Sequence, residues 1–392
     1  MVIIDLLLKS QNHILSEKKA NHVLKTAILD DVERIKQIDK SNMLSFCVEA
    51  PKHYKKAAKL AKTISIDYPK PRTIIMAGMG GSAIGGELLK DWSREKTVVP
   101  IEVCREYTLP AYADKNSLVF VVSYSGETEE SLSVFLDALK RKCKIVCISS
   151  GGTLQQFAEK LGLPHLRVPS GMAPRATLPY LFMPPLVMME KIGLVKGVTS
   201  EVSEITKTLE QVSETNSPEK PLKANFSKTL ASNVCGTIPT IYGFGFYRAV
   251  AQRFKTQFNE NSKVPAKWEF FPELNHNEIV GWEAVKELAK CFSVILIRDD
   301  DEPEAIRIRV EATKELIRKQ SVKTFEVRSL GKSMLAKMAS VICNGDFTSV
   351  YLAVLRGIDP TPVKTISLLK EKIKKSGTKA KVIRELQKIA AK

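Results

Sequence analysis

Ile74-Ile-Met-Ala-Gly-Met-Gly-Gly-Ser-Ala-Ile-Gly-Gly86 decides the fold. A short apolar run makes a buried strand, the glycines make a tight turn, and the residues after Ser82 carry helical spacing. The same grammar returns in Leu118-Val-Phe-Val-Val-Ser-Tyr-Ser-Gly-Glu-Thr128, followed by a helical pattern over Glu129–Lys140. Lys144–Ser149 and His165–Val168 read as two further strands. Strands alternating with helices imply a mostly parallel sheet with helices on both faces. A helical stretch from Asp30 leads into this core. A charged helix around Glu201–Glu214 and the turn-rich Asn216-Ser-Pro-Glu-Lys-Pro221 lead out of it. The pattern then restarts at Pro239-Thr-Ile-Tyr-Gly-Phe-Gly-Phe-Tyr-Arg248, with strands over Phe292–Ile297 and Thr324–Val327 and a long apolar helix over Ser333–Val354. The fold class is α/β: two doubly wound parallel-sheet subdomains with flanking helices, repeated in pattern and not in letters. Residues 1–28 read as an added N-terminal helical extension, 29–215 as the first subdomain with its linker helix, 216–355 as the second, and 356–392 as a C-terminal helix and basic tail.

The 392 residues are 44% hydrophobic and 26% charged, a soluble globular profile of two domains. No apolar run comes near the roughly 20 residues that cross a bilayer, so no membrane association is expected. The opening Met1-Val-Ile-Ile-Asp-Leu-Leu-Leu-Lys9 lacks the basic leader and cleavage site of a signal peptide. Seven scattered cysteines, Cys143 and Cys147 within one strand-like stretch, read as core thiols in a reducing cytoplasm. The net charge of +17 raises nucleic acid as a partner. However, the segment Lys364–Lys392 alone holds ten Lys/Arg against two acids and contains no aromatic residue to stack on a base. The excess therefore reads as a solvated tail with mild steering of anions, and no nucleic acid is expected.

The two glycine turns are the candidate ligand loops. The first lacks the Gly-Lys-Ser/Thr of a nucleoside-triphosphate loop and the clean spacing of a dinucleotide fingerprint. What remains is a backbone free to approach an anion at a helix start, at Gly80 and Gly81, with the Ser82 hydroxyl beside it. The second places Ser123, Ser125 and Thr128 around Gly126. A plain helix cap needs one hydroxyl; three in six residues suit a sugar phosphate, rich in acceptor oxygens. Both turns fall at C-terminal ends of strands, where doubly wound folds bind ligands.

These two motifs resemble the sugar-isomerase (SIS) domain. The wider set resembles the bifunctional phosphoglucose/phosphomannose isomerases: Pro169-Ser-Gly-Met-Ala-Pro-Arg-Ala176, Asn259-Glu-Asn-Ser-Lys263, Pro272-Glu-Leu-Asn-His-Asn-Glu278 and Gly357-Ile-Asp-Pro-Thr-Pro-Val363. The motifs keep the family's order from about Asp30 to Lys370. The resemblance implies two SIS-type subdomains and an aldose–ketose isomerase that interconverts glucose 6-phosphate and/or mannose 6-phosphate with fructose 6-phosphate through a cis-enediol. It implies neither metal nor cofactor, and a homodimer.

Such a reaction needs a base to move a proton between C1 and C2, help with ring opening, and a cation near the enediolate. Glu260 matches the family's catalytic glutamate segment, although a lone Glu after the basic, aromatic Phe254, Lys255 and Phe258 also reads as a solvated helix end. His276, one of five histidines, would open the ring, from its own or the partner subunit; otherwise it is a turn histidine bonded to Asn275 or Asn277. With only Glu278 nearby it makes a poor metal site. Arg175 would hold the enediolate with its fixed fork of donors, or be a surface arginine. Lys370 resembles the family's active-site lysine, with Lys364 as the alternative, and Thr361 a threonine linked to acting on both C2 epimers. Gly80, Gly81, Ser82, Ser123, Ser125 and Thr128 would hold the phosphate. Two rivals remain open: a non-catalytic phosphosugar-binding SIS regulator and an aminosugar-phosphate isomerase.

Overall fold

The computed structural model describes residues 26–391 except Ala284, so the expected extension over 1–28 lies almost wholly outside the described residues. The first sheet is built from β1 (Thr73–Ala77), β2 (Ile101–Cys104), β3 (Ser117–Val122), β4 (Lys144–Ser149) and β5 (His165–Arg167), in the order β2–β1–β3–β4–β5. The second is built from β6 (Ile238–Phe244), β7 (Lys267–Phe271), β8 (Phe292–Arg298) and β9 (Lys323–Arg328), in the order β7–β6–β8–β9. Every neighbouring pair is parallel. Helices cover both faces, so the central strand β3 is buried at all six positions, which is why it reads as an unbroken apolar run. In each sheet the strand order reverses beside the first strand, opening a crevice at the strands' C-terminal ends.

The sequence reading misses the edge strands β2 and β7 and several helices, Gly152–Lys160, Leu178–Lys191, Phe226–Val234 and Glu304–Lys319 among them. β2 and β7 are sheet edges and carry polar residues within short, partly exposed runs. The helix Leu178–Lys191 holds Pro184 and Pro185 in its interior, yet every residue from Leu178 to Met189 is buried. Packing on all sides offsets the lost backbone bonds and erases any helical period. One expectation needs correction. The helix Met334–Leu355 has 22 residues and is apolar enough to cross a membrane, but 89% of its apolar window is buried within the fold, so it is a core helix.

One hydrophobic cluster runs from Ile74, Phe120 and Val146 through Leu186 and Leu209 to Ile241, Ile295 and Val350, so the two sheets share a core. A smaller cluster fills the other face of the first sheet. It includes Val119, Val121, Leu132 and Phe135, with Val382 and Leu386 from the helix Thr378–Ala390. The halves are also joined by charge. Arg248, at the start of the helix Arg248–Gln257, bonds Glu87 at 2.5 Å and Asp91 at 3.0 Å on the helix Gly81–Ser93. The helix that follows the first glycine turn is thereby tied to the helix that leads to Glu260.

Candidate active site

The first crevice opens between the turns after β1 and β3. Gly80 has φ +52° and caps the helix Gly81–Ser93, a conformation open to glycine at little steric penalty. Ser82 Oγ accepts from the Tyr124 N–H at 3.4 Å, joining the two turns. Ser123 Oγ donates to Thr128 Oγ1 at 2.9 Å, and Ser125 Oγ accepts from the Glu127 N–H at 3.2 Å. Thr128 precedes the helix Glu129–Lys140, but its side chain caps no helical amide, so the plain cap does not account for it. Gly126 packs against the next turn: a Cβ there would lie 1.9 Å from the Gly151 carbonyl oxygen. The sequence-predicted hydroxyls thus come together in one polar notch, with Ser123 buried and Ser125 exposed.

Gly81 links this notch to the second group. A Cβ on Gly81 would lie 3.2 Å from the Pro174 carbonyl oxygen and 3.6 Å from Arg175 Cα. Arg175 stands in the short helix Pro174–Thr177 and is only 2% exposed, so it is no surface arginine. Nε donates to Asn261 Oδ1 at 2.5 Å, and Nη2 to the carbonyls of Pro360 at 2.7 Å and Thr361 at 2.9 Å. Nη1 is left facing Glu260 Oε2 at 3.6 Å. Burial lowers the Arg175 pKa and Glu260 opposes that shift; a guanidinium remains charged under such pressure.

Glu260 lies in a single widened π-turn, Phe258–Ser262, that ends the helix. Such turns are frequent at functional sites. Phe254 and Phe258 point into the core rather than toward a substrate. Asn261 Nδ2 donates to Ser349 Oγ at 2.9 Å and Ser262 Oγ to the Ser349 carbonyl at 2.6 Å, which bolts the turn to the core helix Met334–Leu355. Behind Arg175, Arg253 Nη2 donates to the Arg175 carbonyl at 2.7 Å and to Asp346 at 3.1 Å. Lys263 has a left-handed backbone, φ +54°, and its ammonium donates to the carbonyls of Glu260 at 2.6 Å and Pro360 at 2.7 Å. Burial, then the nearby Arg175, pushes the Lys263 pKa down to about 8. The Thr361 hydroxyl is buried without a hydrogen-bond partner among the described residues. A cleft of about 830 Å³ beside Glu260 is lined by Lys263, Asp359, Val363 and Lys364.

Arg175, Glu260 and Thr361 therefore meet, and the hydroxyl-lined notch abuts them through Gly81. Two expected residues stand apart. His276 is exposed, and among the described residues no hydrogen bond or ion pair joins it to Arg175 or Glu260. Its neighbours are also otherwise engaged, Asn275 with Thr313 and Asn277 with Glu273. Lys370 sits on the helix Lys364–Lys374, which buries no residue, whereas Lys364 is on the wall of the Glu260 cleft. Sequence reasoning passes over Arg253 and Lys263. Lys263 lies within the Asn259–Lys263 motif; nothing local marks Arg253.

The second crevice is chemically different. There the Lys337 ammonium bonds Asp299 at 2.8 Å and Asp301 at 2.5 Å, and the Tyr247 hydroxyl donates to Asp299 at 2.6 Å. Carboxylates and an internal cation stand there at the positions where the first crevice has the hydroxyls of its two turns.

Comparison with known proteins agrees with this asymmetry of two related halves. Residues 68–170 match the SIS domain, and residues 223–373 match the bacterial phospho-glucose isomerase C-terminal SIS domain. A bifunctional phosphoglucose/phosphomannose isomerase of Caldicellulosiruptor bescii is 41% identical over 326 residues, covering 82% of this chain and 96% of that protein. Another from Aquifex aeolicus is 36% identical over 313 residues, covering 80% and 93%. Among solved structures, a hypothetical protein of Thermus thermophilus shares the fold, with a TM-score of 0.70 at 15% identity over 93% of this chain and 96% of that one. With identity above a third along nearly the whole length of two such relatives, this chain belongs to the bifunctional phosphoglucose/phosphomannose isomerase family.

Proposed function

We propose that this protein interconverts glucose 6-phosphate and mannose 6-phosphate with fructose 6-phosphate through a cis-enediolate. The Glu260 carboxylate, 3.6 Å from a locked and buried Arg175 guanidinium, carries this reading. Ser82, Ser123, Ser125 and Thr128, with the amides of Gly80 and Gly81, hold the phosphate. Glu260 takes the C2 proton of the open-chain aldose. The C–H electron pair becomes the C1–C2 double bond, and the C1 carbonyl oxygen becomes an oxyanion beside Arg175. After the proton on the C2 hydroxyl passes to that oxygen, Glu260 returns its proton to C1 and C2 becomes the ketone. Atoms and electrons balance within the sugar. Thr361, whose carbonyl accepts from Arg175 and whose hydroxyl is buried without a partner among the described residues, would be the residue that lets either C2 epimer react.

His276 would assist ring opening from a second subunit, which makes the working unit a homodimer; its exposure in this chain supports that reading. The helix Lys364–Lys374 exposes Leu368 at 60% and Leu369 at 55%, a surface that a second copy would cover. Lys370 remains the proposed active-site lysine, with Lys364, which stands on the wall of the Glu260 cleft, as the alternative. Seven free cysteines suit a reducing cytoplasm. The test is formation of fructose 6-phosphate from each aldose with excess chelator, for wild type and Glu260→Gln. Both aldoses should react, and Glu260→Gln should lose at least about 100-fold in kcat. Activity on neither aldose sinks the proposal.

A further inference from the structure

The helix Thr378–Ala390 follows the last residue of the matched C-terminal segment, yet it packs on the first subdomain, beside the phosphate notch. Leu386 is fully buried and Val382 nearly so, against Leu132 and Phe135 of the helix that follows the notch. The first turn of this added helix meets the notch itself. The Lys379 ammonium pairs with Glu127 Oε2, and the Lys379 N–H donates to Glu129 Oε2 at 3.0 Å. Glu129 is held from its other oxygen by the Tyr107 hydroxyl at 3.0 Å. Glu127 Oε1 accepts from the Thr153 N–H at 2.6 Å and from its hydroxyl at 2.9 Å.

Glu127 is an awkward residue for its position. It lies between Gly126 and Thr128, inside the loop whose hydroxyls would hold a phosphate dianion. Burial pushes its pKa up, but Lys379 and Thr153 together hold it below the ordinary value, so it is an anion at neutral pH. An uncompensated carboxylate there would repel the ligand. We propose that Lys379 is a positioning residue of the phosphate site: it cancels the charge of Glu127, and the helix Thr378–Ala390 exists in this place to deliver it. An isolated ion pair on a wet surface does little. This one differs because the helix is anchored by Leu386 and Val382, the Lys379 backbone is fixed on Glu129, and the Glu127 carboxylate is fixed on Thr153. The ammonium is thus presented without ordering two free side chains.

The inference rests on the reading of the Ser123–Thr128 loop as the phosphate holder, and the test separates the two. Binding of inorganic phosphate to the full chain is read by calorimetry, and KM and kcat for fructose 6-phosphate by rate. Lys379→Met should weaken phosphate binding and raise KM by about five- to tenfold at low salt, the effect of one charge on a dianion across several ångströms of wet surface. That difference should shrink as salt rises, with kcat within about twofold because the reacting carbons lie elsewhere. Lys379→Arg should retain affinity. The double variant Glu127→Gln/Lys379→Met, with both charges gone, should recover most of it. Wild-type phosphate affinity in Lys379→Met overturns the proposal, and so does a double variant as weak as Lys379→Met. Phosphate binding without isomerase activity would instead remove the isomerase reading and leave this one standing. A wild-type chain that binds no phosphate removes the loop assignment and this proposal with it.

Discussion

Gly345→Ala adds one methyl group in the middle of the helix Met334–Leu355, and the surroundings dictate its effect. A Cβ at Gly345 would lie 1.9 Å from Phe254 Cδ2 and 2.1 Å from Cε2. The ring cannot swing away into solvent: Phe254 is 2% exposed and lies against Phe258 at a centroid distance of 5.3 Å. Overpacking of a dense core costs about 1–3 kcal/mol, and a contact this short belongs at the upper end. Replacing a glycine inside a helix returns about 1 kcal/mol. The net is about 2 kcal/mol of destabilisation, a fall in Tm of about 2–3 °C for a chain of 392 residues. The displacement also has a direction. Phe254 presses on Phe258, the first residue of the π-turn that carries Glu260, so kcat should fall while phosphate binding at the separate notch holds. Thermal melts and steady-state rates on the same preparation read both effects. Adding Phe254→Leu to Gly345→Ala, which makes room for the methyl, should restore part of the lost stability. A Gly345→Ala protein melting at or above wild type would show that helix propensity outweighs the clash and would refute the reasoning.

Three further predictions concern charge, assembly and thiols. In the folded state the Lys263 ammonium titrates at about 8, against 10.5 for an ordinary lysine. Between those values the unfolded chain binds more protons, so Lys263 makes unfolding free energy rise with pH there and leaves it flat on either side. Urea titrations across that window should show the rise vanish in Lys263→Met, and an identical slope in both proteins contradicts the assignment. If His276 serves the partner's site, mixing unfolded His276→Ala and Glu260→Gln chains and refolding them should yield about a quarter of wild-type activity, since half the dimers are mixed and each has one intact site. No recovery from the mixture would place His276 outside a shared site. Iodoacetamide at about pH 8 should alkylate exposed Cys291 well before Cys147 and Cys343, whose thiols burial pushes up; mass mapping of the labelled chain checks the order.

What was legible in the sequence, and what was not, follows the range of the interactions. β1, β3 and β4 announce themselves because a central parallel strand is apolar on both faces, and the helix Glu129–Lys140 because one face stays wet. β2 and β7 stay hidden since an edge strand needs no such run, and the helix Leu178–Lys191 because complete burial leaves it no period while two prolines argue against it. The same division runs through the site. Glu260, Arg175 and the hydroxyls of Ser123–Thr128 stand in short segments that can be singled out in place, although for Glu260 and Arg175 only the family resemblance favours a site over a surface side chain. Arg253 is invisible because its role is to grip the backbone carbonyl of Arg175, 78 residues away, and a carbonyl leaves no mark in a sequence. Arg175 itself is oriented by Asn261 and by the Pro360 carbonyl, across separations of 86 and 185 residues. The charge that opened the nucleic-acid question shows the same limit. Lys379 belongs to the basic tail by composition, yet it pairs with a carboxylate 252 residues earlier, inside the notch. Composition alone assigns that lysine to solvent; its partner ties it to the loop proposed to hold phosphate.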